Sequence, residues 1–115
     1  MVVVPKGTGE KFIPPGHDKM EAWKLFGPEN GSEKAAIHLS TLQPGGGMEE
    51  EVHKKSDQVF YVLSGSIVAH SKGEQVATLH TGDGIHIESG EPHAFRNEGK
   101  DPCVLYILTV PPIVP

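Results

Sequence analysis

The sequence predicts an all-β fold, a jelly-roll-like small barrel of about seven or eight short strands, and three observations predict it. Fourteen glycines and ten prolines punctuate the 115 residues too often for long helices. Between those breaks apolar and polar residues alternate at roughly period two, as in Ala36-Ile37-His38-Leu39-Ser40-Thr41-Leu42, and no stretch sustains helical periodicity. The breaks themselves are short, which suits antiparallel neighbours.

Taken in order, residues 1–33 are interrupted by Pro5, Pro14-Pro15, Gly27-Pro28 and Asn30-Gly31 and read as an N-terminal arm of short edge strands and turns. Residues 36–42 form a half-buried strand that is expected to stop at Pro44-Gly45-Gly46-Gly47. Further strands are expected at 50–54, 58–63, 67–70, 75–79, 85–88, 93–97 and 104–110. Ser64-Gly65, Lys72-Gly73, Thr81-Gly82-Asp83-Gly84, Ser89-Gly90-Glu91-Pro92 and Glu98-Gly99-Lys100-Asp101-Pro102 separate them. The barrel core therefore spans 34–110, followed by a Pro-rich tail, 111–115, that drapes over the barrel or a partner chain. One domain of residues 1–115 accounts for the whole length.

The totals limit the chemistry. Apolar residues at 37% and charged residues at 22% permit a modest packed interior. Fifteen acidic against ten basic side chains leave a formal charge of −5, and no basic stripe interleaved with aromatics is present, which argues against a nucleic-acid partner. The longest apolar runs fall far short of the roughly 20 residues that cross a bilayer, and the N-terminus does not read as a secretory signal. A cytoplasmic protein without membrane contact is the expectation. Cys103 is the only cysteine, so an internal disulfide is excluded and a small buried hydrophobe is its expected role.

The polar residues that carry chemistry fall in two stretches, the first of which is GGGMEEEVHKKSDQVFYVLSG, residues 45–65. On a strand, Glu51 and His53 point to one face, and a carboxylate and an imidazole can then converge on one cation. Gln58 opens the following strand, on a face shared with Phe60 and Val62. In the second stretch His93 begins another strand behind Gly90-Glu91-Pro92, sharing its face with Phe95. Each residue alone has a bland alternative, a solvated turn for the acidic run and a surface or satisfied core group for Gln58 and His93.

The spacing of these residues resembles the cupin superfamily over residues 34–110. That family's first motif, G-x5-H-x-H-x(3,4)-E-x6-G, maps onto Gly45, Glu51, His53, Gln58 and Gly65 with every spacing kept. Its second, G-x5-P-x-G-x2-H-x3-N, maps onto Gly82, Glu88, Gly90, His93 and Asn97. Glu51 replaces the usual first His, Gln58 the usual Glu, and Glu88 the usual Pro. The resemblance implies the cupin double-stranded β-helix and one divalent metal ion held by Glu51, His53, Gln58 and His93. The set would be a two-His-one-carboxylate face with an amide oxygen as weaker fourth ligand, suited to Mn(II), Fe(II), Ni(II) or Zn(II). A register using Asp57 in place of Gln58, and a cupin that has lost its metal, are the alternatives.

Around that centre, Phe60, Val62 and Phe95 are either pocket wall or barrel filling, and His38, Ser40 and Tyr106 are polar groups available to a pocket. Glu51 and His86 are the candidates for moving protons. The resemblance implies a metal-dependent isomerase or lyase acting on a small hydroxy, keto or sugar acid. A non-heme Fe(II) dioxygenase and a non-catalytic module for a small ligand remain open beside it. Small cupins that process unsaturated uronates also carry Gln at the motif's Glu, but the acid and Arg expected near the end of the last strand are missing between Tyr106 and Pro112. A homodimer using residues 1–33 is expected, because edge strands need covering.

Overall fold

The computed structural model describes residues 1–113; Val114 and Pro115, the end of the expected tail, lie outside the described residues. Nine strands and no α-helix occur among the described residues: β1 (Glu10–Phe12), β2 (His17–Phe26), β3 (Ala36–Met48), β4 (Asp57–Ser64), β5 (Ser66–Ser71), β6 (Glu74–His80), β7 (Gly84–Ile87), β8 (Ala94–Arg96) and β9 (Cys103–Val110). A single 3-10 turn covers Pro28–Asn30. The strands follow the order β6-β5-β8-β3-β9-β4-β7, with β2 on β3 and β1 on β2, all antiparallel and curled into a nearly closed barrel. No helix among the described residues is long and apolar enough to cross a membrane.

Alternation decides which side chains enter the barrel. Along β9, Cys103, Leu105, Ile107 and Thr109 are buried while Tyr106 and Val110 are exposed. On β4, Gln58, Phe60 and Val62 face inward. The core fills one end of the barrel, where the rings of Phe60 and Phe95 stack with centroids 4.3 Å apart beside Val62, Ile67 and Leu105. Cys103 is fully buried and its thiol is pushed up to about 11 by desolvation, as the buried-hydrophobe reading requires.

Three local expectations need correction. The strand expected to end at Pro44 continues through the glycines to Met48. A Cβ on Gly46 would lie 2.8 Å from the Asp18 carbonyl oxygen, and one on Gly47 3.0 Å from the Phe95 carbonyl oxygen. Glycine is used there for close approach of neighbouring strands rather than for a stop, and β3 can then pair with β9 along one half and meet β8 at Gly47 and Arg96. Residues 50–54 form no strand; Glu51 alone makes a bridge, with His93. The N-terminal segment, read as short edge strands, contains the ten-residue β2, paired with β3 from His17 opposite Met48 to Phe26 opposite Ile37.

Two motif residues have purely architectural work. Gly65 joins β4 to β5 at φ +85°, and a Cβ there would lie 2.5 Å from the Pro102 carbonyl oxygen. Asn97 is fully buried. Its Nδ2 donates to the carbonyls of Leu42 and Asp101, both at 2.9 Å, and its Oδ1 accepts from the Gly99 N–H. This one amide fastens the β8–β9 connection to β3.

Candidate metal centre

Glu51 and His53 reach the barrel interior from the loop between β3 and β4, and backbone bonds hold that loop in place. Glu51 N–H donates to the His93 carbonyl and His93 N–H to the Glu51 carbonyl, each at 2.9 Å, while Gly90 N–H donates to the His53 carbonyl at 2.8 Å. The loop before β4 and the loop before β8 are thereby bound to each other. One ligand atom from each of Glu51, His53 and His93 lies within 4.8 Å of the other two. This group is able to hold a metal ion, and it converges through the loop-to-loop bridge rather than through a shared strand face.

The hydrogen bonds around these side chains set their lone pairs. His93 Nδ1–H donates to the Glu91 carbonyl at 3.0 Å, which leaves the lone pair on Nε2; that atom is buried with no hydrogen-bond partner. Burial, the dominant cause, lowers the His93 pKa, and neighbouring His53 adds to the effect. The ring is therefore held neutral, the form that binds metals. Gln58, opposite Thr109 in the β4–β9 register, donates from Nε2 to Thr109 Oγ1 at 3.1 Å, and its Oε1 is likewise buried without a partner. His53 Nε2 lies 3.1 Å from Glu51 Oε2. His93 Nε2, an orphaned buried acceptor, groups with the Glu51 carboxylate and the His53 imidazole into a donor set that fits a divalent cation, and Gln58 Oε1, orphaned likewise, belongs to a residue lining the cavity that Glu51 and His53 also line.

The centre adjoins a cavity of about 520 Å³ lined by Glu51, His53 and Gln58 and, on its apolar walls, by Met20, Met48, Phe60 and Ile107 among others. His38 also lines it; burial lowers its pKa and its ring stands edge-on to Phe12 with centroids 5.2 Å apart. Val62 and Phe95 are buried in the core cluster and act as filling. His86, a candidate for moving protons, and Tyr106, a polar group available to a pocket, sit on the opposite face of the sheet. His86 pairs with Val59 in the β4–β7 register, is exposed, and lies 3.2 Å from Asp57 Oδ2. Tyr106 lines an outer groove with Tyr61 and Leu108. Asp57, the alternative ligand, is turned to that same outer side; it accepts from the Ser89 N–H at 2.9 Å, and this bond, with His86, holds its carboxyl below the usual range.

His17, which no motif singles out, also lines the cavity with its largely buried ring, its Nδ1 3.8 Å from Glu51 Oε1. Nδ1–H donates to the Pro15 carbonyl at 2.7 Å. Nothing local signals this; the proximity comes from the pairing of His17 with Met48 across β2 and β3.

Comparison with known proteins agrees with this architecture. The family model described as Cupin domain matches residues 38–110. A β-D-galactosidase of Mycobacterium tuberculosis is 26% identical over 104 residues, covering 90% of this chain and 88% of its own. An oxalate-binding protein of Thermotoga maritima is 29% identical over 86 residues, 74% of this chain and 70% of its own. Among solved structures, the polyketide cyclase RemF of Streptomyces resistomycificus superposes with a TM-score of 0.85 at 22% identity, covering all of this chain and 82% of that one.

Proposed function

Because this chain belongs to the cupin family, we propose that it is a metal-dependent enzyme of the isomerase or lyase type, acting on a small hydroxy, keto or sugar acid. Glu51, His53 and His93 would hold the ion, Mn(II), Fe(II), Ni(II) or Zn(II), with the Gln58 amide oxygen as a weaker fourth donor. The observation that carries this reading is the pair of buried acceptors without partners, His93 Nε2 and Gln58 Oε1, beside the Glu51 and His53 side chains. When bound, the ion would supply Lewis-acid polarisation of a substrate carbonyl.

The chain's own residues do the rest. Glu51 is the group that takes and returns a proton. Met20, Phe60 and Ile107 give the cavity an apolar wall for the body of a substrate. His86, exposed on the outer face, has no part in this sequence of events. The relative named for binding oxalate supports an acid group as the part of the substrate that meets the ion.

The two-His-one-carboxylate group also supports a second reading, oxygen chemistry on Fe(II). Metal analysis of purified protein, followed by turnover with a panel of hydroxy, keto and sugar acids, tests the first reading. Oxygen consumption with Fe(II) identifies the second, and retained ligand affinity without turnover would instead favour a binding module. A cytoplasmic homodimer is part of the proposal. Leu25 and Phe26, from the first 33 residues, line an outer apolar groove with Tyr61, Tyr106 and Leu108, which supports a second copy packing there. A monomeric mass in sedimentation at micromolar concentration would remove that part.

A further inference from the structure

A second cavity, of about 710 Å³, adjoins the one at the candidate metal centre. Pro28, His53, Pro112 and Ile113 line both, so the two spaces meet at a candidate metal ligand and at the tail. Lys54 and Lys55 line the second alone. They are the only adjacent lysines in the sequence, both are exposed, and neither enters an ion pair among the described residues. Glu33 is the one acid on that lining among the described residues. Two ammonium groups against one carboxylate reverse, at this place, the sign of a chain whose formal charge is −5.

The lysines are presented from a stretch fixed at both ends. Before them the His53 carbonyl accepts from the Gly90 N–H at 2.8 Å. After them the buried Ser56 donates from Oγ to the Pro111 carbonyl at 2.7 Å, which also fixes the tail where it begins to wall the cavity. Both lysines follow His53 directly in the chain, so their Cα atoms lie within about 4 and 7 Å of its own. Solvation accounts for two exposed lysines, but not for their standing side by side, unpaired and with like charge, on a concave space that continues to the metal centre. We propose that Lys54 and Lys55 form a subsite for a second carboxylate of the ligand, whose first acid group meets the ion. The ligand is then a short dicarboxylic keto or hydroxy acid, because His53 and both lysines are consecutive residues. This inference rests on the proposed metal centre for the near end only.

Calorimetric titration of Mn(II)-loaded protein at low ionic strength with two matched pairs of acids tests it: α-ketocaproate against α-ketoadipate, and α-ketoheptanoate against α-ketopimelate. Within each pair a terminal methyl becomes a carboxylate. The wild type binds the diacid of at least one pair about two- to fivefold more tightly than its monoacid, the worth of one exposed ion pair, and the preference shrinks in about 0.5 M salt. The double variant Lys54→Gln, Lys55→Gln brings the ratio to about one, with an unchanged unfolding temperature and no loss of Mn(II) affinity. The double variant Lys6→Gln, Lys100→Gln removes the same charge from positions that line neither cavity and keeps the preference. A wild-type ratio near one in both pairs, a preference that survives loss of Lys54 and Lys55, an equal loss in the Lys6 and Lys100 variant, or no binding of any probe to the loaded protein overturns the inference. Failure to take up Mn(II) refutes the metal centre instead. The same pairs titrated into metal-free protein then decide the lysine subsite separately: a diacid preference that disappears with Lys54 and Lys55 upholds it, and no such preference overturns it.

Discussion

Replacing His93 with Phe separates the ligand role of this ring from its packing. The ring is in contact with a wall of aromatics, its centroid 6.1 Å from that of Phe60 and 6.3 Å from that of Phe95, and a phenyl group keeps that wall. His93→Phe deletes the Nδ1–H bond to the Glu91 carbonyl, which costs about 0.5–1.5 kcal/mol. It also deletes the unpartnered Nε2, whose removal returns about 1–3 kcal/mol. The metal-free variant should therefore unfold within about 2 kcal/mol of the wild type. With metal the two diverge. At a hundredfold excess over its Kd, an ion that binds only the folded chain adds about 2.7 kcal/mol, roughly a 10 °C rise in Tm for a domain of this size. The assay is thermal unfolding followed by circular dichroism with and without Mn(II) or Ni(II), at concentrations set from the wild-type Kd. His93→Phe should lose nearly all of that rise. An equal rise in both proteins would refute the assignment of His93 Nε2 as a ligand.

Gln58→Leu should weaken metal affinity about three- to tenfold, taking a weak neutral donor as equal to one net hydrogen bond of about 1 kcal/mol, measured by competition with a chelating dye; an unchanged affinity removes Gln58 from the ligand set. His93 and His38 both have pKa values lowered by burial, so the unfolded chain binds more protons than the folded one between the folded value and about 6.5. Metal-free stability should thus be highest above about pH 6.5 and fall as pH drops through that window. Urea midpoints at a series of pH values check this, and the double variant His38→Gln, His93→Phe should flatten the slope. Gly65→Ala should cost at least about 2 kcal/mol, because the new Cβ would meet the Pro102 carbonyl oxygen at 2.5 Å with φ at +85°; a chemical-denaturation midpoint equal to wild type would contradict the close approach.

The strands between 58 and 110 were legible because each is short and ends at a turn residue, and because alternation, clean on β4 and β9, marks the element. The grouping of Glu51, His53 and His93 was legible from motif spacing, although the reason they converge was not: a bridge between two loops leaves no periodic trace. The sides taken by His86 and Tyr106 were not legible. On β9 the buried set is Cys103, Leu105, Ile107 and Thr109, so Tyr106 must point outward, and polarity alone does not reveal which alternate set is inside. Pro44 and the three glycines after it look like a stop because their other use, letting backbones approach closely, depends on Asp18 and Phe95, far away in sequence. His17 was missed for the same reason, since only the β2–β3 register brings it to Glu51.

The account depends most on a cation seated among Glu51, His53, Gln58 and His93. Crystals grown with Mn(II) and measured for anomalous scattering should give one strong peak within coordination distance of Glu51, His53 and both orphaned acceptors, His93 Nε2 and Gln58 Oε1. A barrel whose only peaks lie on surface carboxylates, with Nε2 and Oε1 bonded to water, would contradict it.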